Sequence, residues 1–232
     1  MTFPFLVSVP HAGLRVPEEV EGLCILKEQD VIKDSDEGAS EIYFPLRNET
    51  TAFVTTDIAR AIVDMNRKED DRGKDGVIKT HTCWDVPVYK EPLSDKVVTS
   101  LIERHYRPYH SKISRLSRGV RLGLDCHTMA EVGPPIGPDS GSRRPRVCLS
   151  NGDGSTCPQE WFISLSNCFS KAFGDDVSVN APFKGGYITR SHAREIPWIQ
   201  IELNREPFLD NEGKSQRVFQ ALKEWWEECT AS

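Results

Sequence analysis

Residues 3–13 read FPFLVSVPHAG, and this stretch decides how the chain folds. The apolar and β-branched run Phe3–Val9, bounded by turn-forming residues, predicts a buried strand. His11 follows that strand directly. In open α/β sheets, ligands bind outside the carboxyl ends of the strands. The stretch therefore predicts a strand that delivers an imidazole to the functional edge of a sheet.

The same arrangement recurs in residues 120–127, VRLGLDCH, where Val120–Leu124 predicts a strand and His127 follows its end. Further strands are predicted at Ala52–Thr56, Arg146–Leu149, Val177–Val179 and Trp198–Leu203. Amphipathic stretches predict helices over Asp95–Ser117 with a kink at Pro108, over Pro158–Phe173, and over Gly213–Cys229. The alternation predicts an α/β fold with a mixed or mostly parallel central sheet flanked by helices.

The chain of 232 residues has the length of one domain, and we predict a single domain over residues 1–232. Its net charge of −6 gives no general attraction to phosphate backbones or anionic lipid, so nucleic acid and membranes are not expected partners. No apolar run approaches the ~20 residues that a bilayer crossing needs. The seven cysteines include no CxxC pair, which is typical of reduced thiols. Together these features predict a cytoplasmic protein.

Two long stretches carry no helix or strand pattern: Glu69–Leu93 and Ala130–Pro145, both rich in Gly and Pro or in charged residues. Irregular segments of this length within one domain are often functional. We therefore expect both segments to border a site.

An acidic cluster, Asp34-Ser35-Asp36-Glu37, lies between the two histidines in sequence. One of its carboxylates can complete a set of two imidazoles and one carboxylate, which suits zinc and leaves a coordination position for water or substrate. A structural interpretation stays open, because a strand-end histidine can simply bond a turn, and acids near a helix N-terminus are stabilised by the helix dipole.

Glu202 places a carboxylate in the otherwise apolar run Trp198–Leu203. An unpaired buried charge is costly, which favours a catalytic general base or an ion pair with Arg205 or another arginine. Arg60 and Asn66-Arg67 offer guanidinium groups that can hold a substrate carboxylate. In residues 183–192, Lys184 and Arg190 flank a Gly-Gly pair, which indicates either close approach to a ligand or an ordinary turn.

Seven segments in order resemble the recurrent blocks of the N-formylglutamate amidohydrolase family. They are VSVPHAG (7–13), DSDEGA (34–39), DIARAIVDMNR (57–67), YRPYHSKI (106–113), LDCHTM (124–129), NAPFKGGYITR (180–190) and IQIELNR (199–205). The resemblance implies a zinc-carboxypeptidase-like fold, related to that of aspartoacylases, with a single zinc ion and hydrolysis of an amide.

The resemblance also implies roles for individual residues. His11, Asp36 and His127 resemble the metal ligands, although spacing does not separate Asp36 from Asp34 or Glu37. Glu202 resembles the general base. Asp125, two residues before His127, can orient an imidazole, and a helix cap or turn hydrogen bond is an equal alternative for it. The remaining expected roles are substrate binding by Asn66, Arg67, Lys184 and Arg190, and stabilisation of negative charge on the acyl oxygen by Arg60.

The expected activity is zinc-dependent hydrolysis of an N-acyl acidic amino acid such as N-formylglutamate. An aspartoacylase-like deacylase and a small metallopeptidase are alternatives with the same metal chemistry. A protein that binds an acidic metabolite without turnover is an alternative of another class. A cysteine hydrolase built on Cys126 is a weaker interpretation, because adjacency to His127 in sequence does not bring a thiol within reach of a base.

Overall fold

The computed structural model describes residues 2–231 and contains a six-stranded sheet. Its strands are β1 (Phe3–Val9), β2 (Thr50–Thr55), β3 (Leu122–Met129), β4 (Val147–Ser150), β5 (Val177–Val179) and β6 (Trp198–Asn204). All six lie where the sequence predicts a strand. β3 continues past the predicted end at Leu124, so His127 lies within the strand and not after it. The strand continues because Asp125 and His127 share one face and pair with β6.

The helices are α1 (Glu28–Asp34), α2 (Ala39–Tyr43), α3 (Asp95–Leu101), α4 (Arg107–Leu116), α5 (Gln159–Phe173), α6 (Tyr187–Ser191) and α7 (Asn211–Ala231). Short 3₁₀ turns cover Glu18–Val20, Phe44–Asn48 and His192–Arg194. The predicted kink near Pro108 is a π-helical segment, Ile102–Tyr106, which joins α3 to α4. Proline cannot donate the helical bond and its ring crowds the preceding turn, so the wider segment accommodates it. Across residues 2–231, no helix combines the length and apolar character needed to span a membrane.

The strand order is β2-β1-β3-β6-β4-β5. β2, β1, β3 and β6 run parallel, whereas β4 is antiparallel to β6 and parallel to β5. The prediction of a mixed, mostly parallel sheet flanked by helices is therefore confirmed. Because β4 runs the other way, the residues that precede it lie at the same edge as the residues that follow β1, β3 and β6.

The two faces of the sheet differ in polarity. Leu122, Leu124 and Cys126 of β3 enter a core with α2, α5 and α7, while α3 and α4 cover the opposite face. Side chains alternate along a strand, so Asp125 and His127 lie on that opposite face. The same face of β6 carries Gln200 and Glu202, because the sheet pairs Asp125 with Gln200 and His127 with Glu202. The alternation thus gathers a buried polar stripe on one face of the sheet.

A close approach between Gly123 and Trp198 fixes the register of β3 against β6. The two residues are cross-strand partners, and the Trp198 ring lies over the glycine, fully buried. A Cβ atom added at Gly123 would lie 2.2 Å from two carbon atoms of that ring. Only glycine fits here without displacing the ring.

We expect Gly123→Ala to destabilise the protein by about 1–3 kcal/mol, because it overpacks the contact with the Trp198 ring. Gly137→Ala is the matched control, since an added Cβ there would meet its nearest atom at 3.5 Å. Urea unfolding measures both variants. Equal stability of the two would show that the Trp198 ring moves aside freely.

Candidate active site

His11, Asp36 and His127 meet at the carboxyl edge of the sheet. Oδ2 of Asp36 lies 3.5 Å from Nδ1 of His11 and 2.8 Å from Nδ1 of His127. The two imidazole centroids are 4.8 Å apart, and all three side chains are buried. The structure therefore brings together the three residues that the family resemblance marks as metal ligands.

The acids of residues 34–37 point in different directions. Asp34 is buried, and its Oδ2 lies 3.0 Å from Nζ of Lys79. Glu37 is exposed. Among these three acids, Asp36 is the one that faces both imidazoles.

The second nitrogen of each imidazole contacts a buried carboxylate. Nε2 of His11 lies 2.8 Å from Oδ1 of Asp64, and Nε2 of His127 lies 3.1 Å from Oδ1 of Asp125. When the carboxylate accepts an Nε2–H proton, a neutral ring presents a lone pair at Nδ1. Nε2 of His127 also lies 3.1 Å from Nδ2 of Asn66. Asp125 thus contacts the imidazole that the sequence predicts it to orient, and Asp64, which sequence reasoning missed, contacts His11 in the same way.

The donor set fits a divalent cation. Two Nδ1 lone pairs and a carboxylate oxygen face one another, an arrangement that is repulsive unless a proton or a metal ion lies among them. Burial opposes a charge on His127, yet the carboxylates of Asp125 and Glu202 raise its pKa well above its ordinary value. Burial likewise opposes ionisation of Asp36, but His11 and His127 hold its pKa well below the usual range. Two imidazoles and one carboxylate are ligands that zinc accepts.

Glu202 lies beside this group on β6 and is only 6% exposed. Burial raises the pKa of Glu202, and this effect outweighs the opposing charge of His127. Its Oε1 accepts a hydrogen bond from Nε2 of Gln200 at 2.6 Å. Arg205, the alternative ion-pair partner, instead donates to the carbonyl of Ser35. A buried carboxylate with a raised pKa at a cavity is typical of a proton-transfer group.

A cavity of about 290 Å³ opens over these residues. His11, Asp36, His127 and Glu202 line its floor. Both irregular segments contribute to its walls, through Asp75, Cys83 and Trp84 of one and Ala130, Pro134, Ile136, Gly137, Pro138 and Arg144 of the other. The amide of Ile136 donates to the carbonyl of Cys83 at 3.0 Å and so joins the two segments. Both irregular segments therefore border this cavity.

Asn66 and Arg67 both line the cavity, but they are held differently. The Asn66 amide is committed to protein groups: Nδ2 donates to Oδ2 of Asp125 at 3.2 Å, and Oδ1 accepts from the amide of Ile188 at 2.8 Å. Arg67 is half-buried at the cavity: Nη2 pairs with Asp75 at 2.5 Å, and Nε and Nη1 donate to the carbonyls of Asp75 and Asn66 at 2.8 and 3.4 Å. The geometry therefore favours a supporting role for Asn66, whereas the Arg67 guanidinium, with five N–H groups, keeps donors that can meet a ligand.

Arg60 lies at the cavity beside the metal-ligand candidates. Its Nε donates to Oδ2 of Asp64 at 3.1 Å, and its Nη1 lies 4.0 Å from Oδ1 of Asp36. Burial opposes its charge, yet Asp64 and Asp34 raise the pKa of Arg60 well above its ordinary value. The guanidinium is therefore a fixed positive charge next to the candidate metal site.

The structure does not bring Arg190 into the wall of the cavity. Its exposed guanidinium donates to the carbonyls of Gly185 and Lys184 at 3.0 and 2.8 Å, and so braces the Gly-Gly loop. Lys184 does line the cavity, but its ammonium pairs with Asp153 at 3.1 Å and is largely exposed. The sequence shows that residues 184 and 190 carry positive charge. The direction in which each side chain points depends on the fold of the Gly185-Gly186 loop.

Two arginines that sequence reasoning did not assign to the site line the cavity instead. Arg144 is buried, held by Asp139 through two bonds of 2.6 and 2.8 Å, with its guanidinium 4.8 Å from the Phe183 ring centroid. Arg205 follows β6 and lies 3.9 Å from Oδ1 of Asp36. Both occur where the chain enters or leaves a strand at the carboxyl edge, and that position is the signal that could have identified them.

Comparison with known proteins identifies the family of the chain. The family model for N-formylglutamate amidohydrolase matches residues 3–209. The chain belongs to the N-formylglutamate amidohydrolase family. The prediction of an amide-hydrolysing enzyme is confirmed at the level of this family.

Relatives and solved structures extend over nearly the whole chain. An N-formylglutamate deformylase of Pseudomonas putida is 28% identical over 96% of this chain and 93% of its own length. An N-formylglutamate deformylase of Pseudomonas aeruginosa is 26% identical over 90% of this chain and 83% of its own length. The crystal structure of an N-formylglutamate amidohydrolase from Ralstonia eutropha shares the fold, with a TM-score of 0.79 at 18% identity, covering 100% of this chain and 96% of that one. A gene product of Agrobacterium tumefaciens has a TM-score of 0.73 at 16% identity, over 99% and 90%.

Behind His11, Lys79 lies at the centre of a buried charge network. Its ammonium is fully buried, 3.0 Å from Asp34, 2.5 Å from Asp75 and 3.9 Å from Asp64. Asp64 orients His11, and Asp75 pairs with Arg67. The Lys79 ammonium therefore compensates the carboxylate that contacts His11 and the carboxylate that pairs with Arg67.

We expect Lys79→Met to destabilise the protein by about 3–5 kcal/mol, because it leaves buried carboxylates without their counter-charge. Lys74→Met is the matched control, since the ion pair of Lys74 with Asp85 is exposed and should contribute little. Denaturant unfolding compares the two. A loss no greater than that of Lys74→Met would mean that Arg60 and Arg67 alone neutralise the network.

Proposed function

We propose that the chain is a metal-dependent amidohydrolase that removes the acyl group from an N-acyl acidic amino acid, with N-formylglutamate as the leading substrate. The observation that carries this proposal is the convergence of His11, Asp36 and His127 beside Glu202 at a cavity with several arginines. The names of the Pseudomonas deformylases support the substrate.

His11, Asp36 and His127 would hold the ion, and zinc suits this donor set best. When bound, such an ion supplies Lewis-acid chemistry, polarising an amide carbonyl and lowering the pKa of a water molecule. Asp64 and Asp125 keep both imidazoles in the tautomer that offers Nδ1. Three residues would thus bind the ion directly. Asp64 and Asp125 would act only through the histidines that they orient.

Glu202 acts in this proposal as general base and then as general acid. Oε1 is held by Gln200, and within residues 2–231 no protein hydrogen bond occupies Oε2. Oε2 would accept a proton from the attacking water and deliver it to the nitrogen of the departing amine. The raised pKa of Glu202 favours this transfer, because it brings the carboxyl group closer to the pH of the reaction.

The arginines divide the remaining work. Arg60, beside Asp36, would stabilise negative charge that develops on the acyl oxygen. Arg67 and Arg144 would bind the two carboxylates of a substrate such as N-formylglutamate, because a guanidinium holds a carboxylate with directed bonds. Asn66 supports Asp125 in this scheme and does not grip the substrate.

We expect the purified protein to contain about one divalent ion per chain and to hydrolyse N-formylglutamate. Glu202→Gln should retain the ion but lower kcat by about 10²–10⁴-fold, the usual contribution of a general acid-base group. Asp36→Ala should lose the ion, since it removes one of three ligands. Elemental analysis and a formate-release assay measure both quantities.

A panel of formyl, acetyl and peptidyl derivatives of glutamate tests the alternative activities. Faster turnover of the acetyl or peptidyl compound would replace the deformylase assignment with the corresponding deacylase or peptidase. Tight binding of an acidic metabolite with no turnover of any compound would favour a binding protein. Full activity of Glu202→Gln would exclude Glu202 as the base.

Arg144→Met should distinguish the two carboxylates of the substrate. We expect kcat/KM for N-formylglutamate to fall about 10- to 100-fold, as loss of a charge-assisted hydrogen bond implies, with little change for N-formylglutamine. Arg146→Met is the matched control, because Arg146 is exposed and packs on Phe208, outside the cavity. An equal loss for both substrates would show that Arg144 does not contact the side-chain carboxylate.

A further inference from the structure

Gln200 is a buried amide that none of the steps above uses as a reactant. It lies two residues before Glu202 on β6, so both side chains project from the same face of the sheet. Its side chain makes two short contacts: Oε1 accepts from the amide of Gly186 at 2.6 Å, and Nε2 donates to Oε1 of Glu202 at 2.6 Å. It thus connects the Gly-Gly loop to the candidate base.

The chemistry of the partners fixes the orientation of this amide. A backbone N–H can only donate, so the atom that meets Gly186 must be the oxygen of the Gln200 side chain. The NH₂ group must then face Glu202, whose ionised carboxylate can only accept. Rotating the amide by 180° would make both contacts repulsive. The Gly186 amide therefore determines that Gln200 presents a donor to Glu202.

The position of Gly186 is itself fixed by the metal half of the site. A Cβ added at Gly186 would lie 2.2 Å from Nδ2 of Asn66, so only glycine allows this approach. The Asn66 side chain accepts from the amide of Ile188 and donates to Asp125, the carboxylate that orients His127. The loop that contains Gly186 thus contacts Asn66, which supports His127 through Asp125. The same loop contacts Gln200, which holds Glu202.

We propose that Gln200 is a positioning residue for Glu202: it holds Oε1 in place and directs Oε2 toward the cavity for proton transfer. This inference rests on the proposed role of Glu202 as the base. Gln200 itself lines the cavity, but this proposal assigns it no contact with substrate or metal. Its effect is on the rate of the proton-transfer step and not on substrate affinity.

The variants Gln200→Met and Gln200→Glu test the donor. Gln200→Met removes both contacts, whereas Gln200→Glu keeps an acceptor for Gly186 but replaces the NH₂ donor by a carboxyl oxygen. We expect kcat for N-formylglutamate to fall at least about tenfold in both variants, with KM changed less than about twofold, because only the base is displaced. Near-normal kcat in Gln200→Glu would overturn the proposal, since the role of Gln200 would then be only to accept from the loop.

Thr156→Val is the matched control for general loss of stability. The buried Thr156 hydroxyl donates at 2.8 Å to the carbonyl of Trp198, which lies on β6 as Gln200 does. This hydrogen bond lies away from the cavity. We expect this variant to keep its kcat while losing a comparable buried hydrogen bond. A kcat loss equal to that of Gln200→Met would assign the effect to the strand as a whole and overturn the positioning role.

A stability cycle tests the contact without any substrate or metal. Denaturant unfolding of the wild-type protein, Gln200→Met, Glu202→Met and the double variant measures the coupling between the two side chains. We expect the double variant to lose less stability than the sum of the single variants. Additive losses would show that the side chains do not interact. Because this measurement needs no turnover, it separates failure of the positioning role from failure of the proposed function.

Discussion

The structure of the site depends on the need to compensate buried negative charge. Asp34, Asp36, Asp64 and Asp125 are all nearly inaccessible to water at one edge of the sheet. A buried carboxylate without a partner is so unfavourable that each must be paired or hydrogen-bonded. Lys79 and Arg60 neutralise Asp34 and Asp64. Two imidazoles face Oδ2 of Asp36, and the guanidinium groups of Arg60 and Arg205 lie 4.0 and 3.9 Å from its Oδ1. A divalent ion held by Asp36 and the two imidazoles would add to this compensation.

Sheet topology explains why the partners of these carboxylates come from distant parts of the chain. Parallel strands β1, β3 and β6 end at one edge, which brings His11, His127 and Glu202 together. The reversal of β4 adds a different kind of group to that edge. Arg144 lies in the loop that leads into this strand, so an antiparallel neighbour contributes its entry loop where parallel strands contribute their exits. A purely parallel sheet would have placed Arg144 at the opposite edge.

The sequence predicts the strands and the imidazoles because both depend on local patterns. A β-branched run with a histidine at its end predicts a strand that delivers an imidazole to the sheet edge, and His11 lies there, beside Asp36. Three adjacent acids carry no comparable pattern, since their directions depend on how residues 34–37 leave α1. Arg190 and Arg144 show the same limit. Both are arginines near glycine-rich or proline-rich loops, but Arg190 turns back onto its own loop and Arg144 is drawn inward by Asp139 and Phe183.

The two irregular segments bear on the choice among the possible amide substrates. They contact each other through the bond from Ile136 to Cys83, and both residues line the cavity. A peptidase that acts on long chains needs an open groove on either side of the scissile bond. A cavity of about 290 Å³ with walls from both segments is instead of the size that encloses a small ligand. With Arg60, Arg67 and Arg144 in its wall, this cavity favours a compact anionic amide over an extended polypeptide.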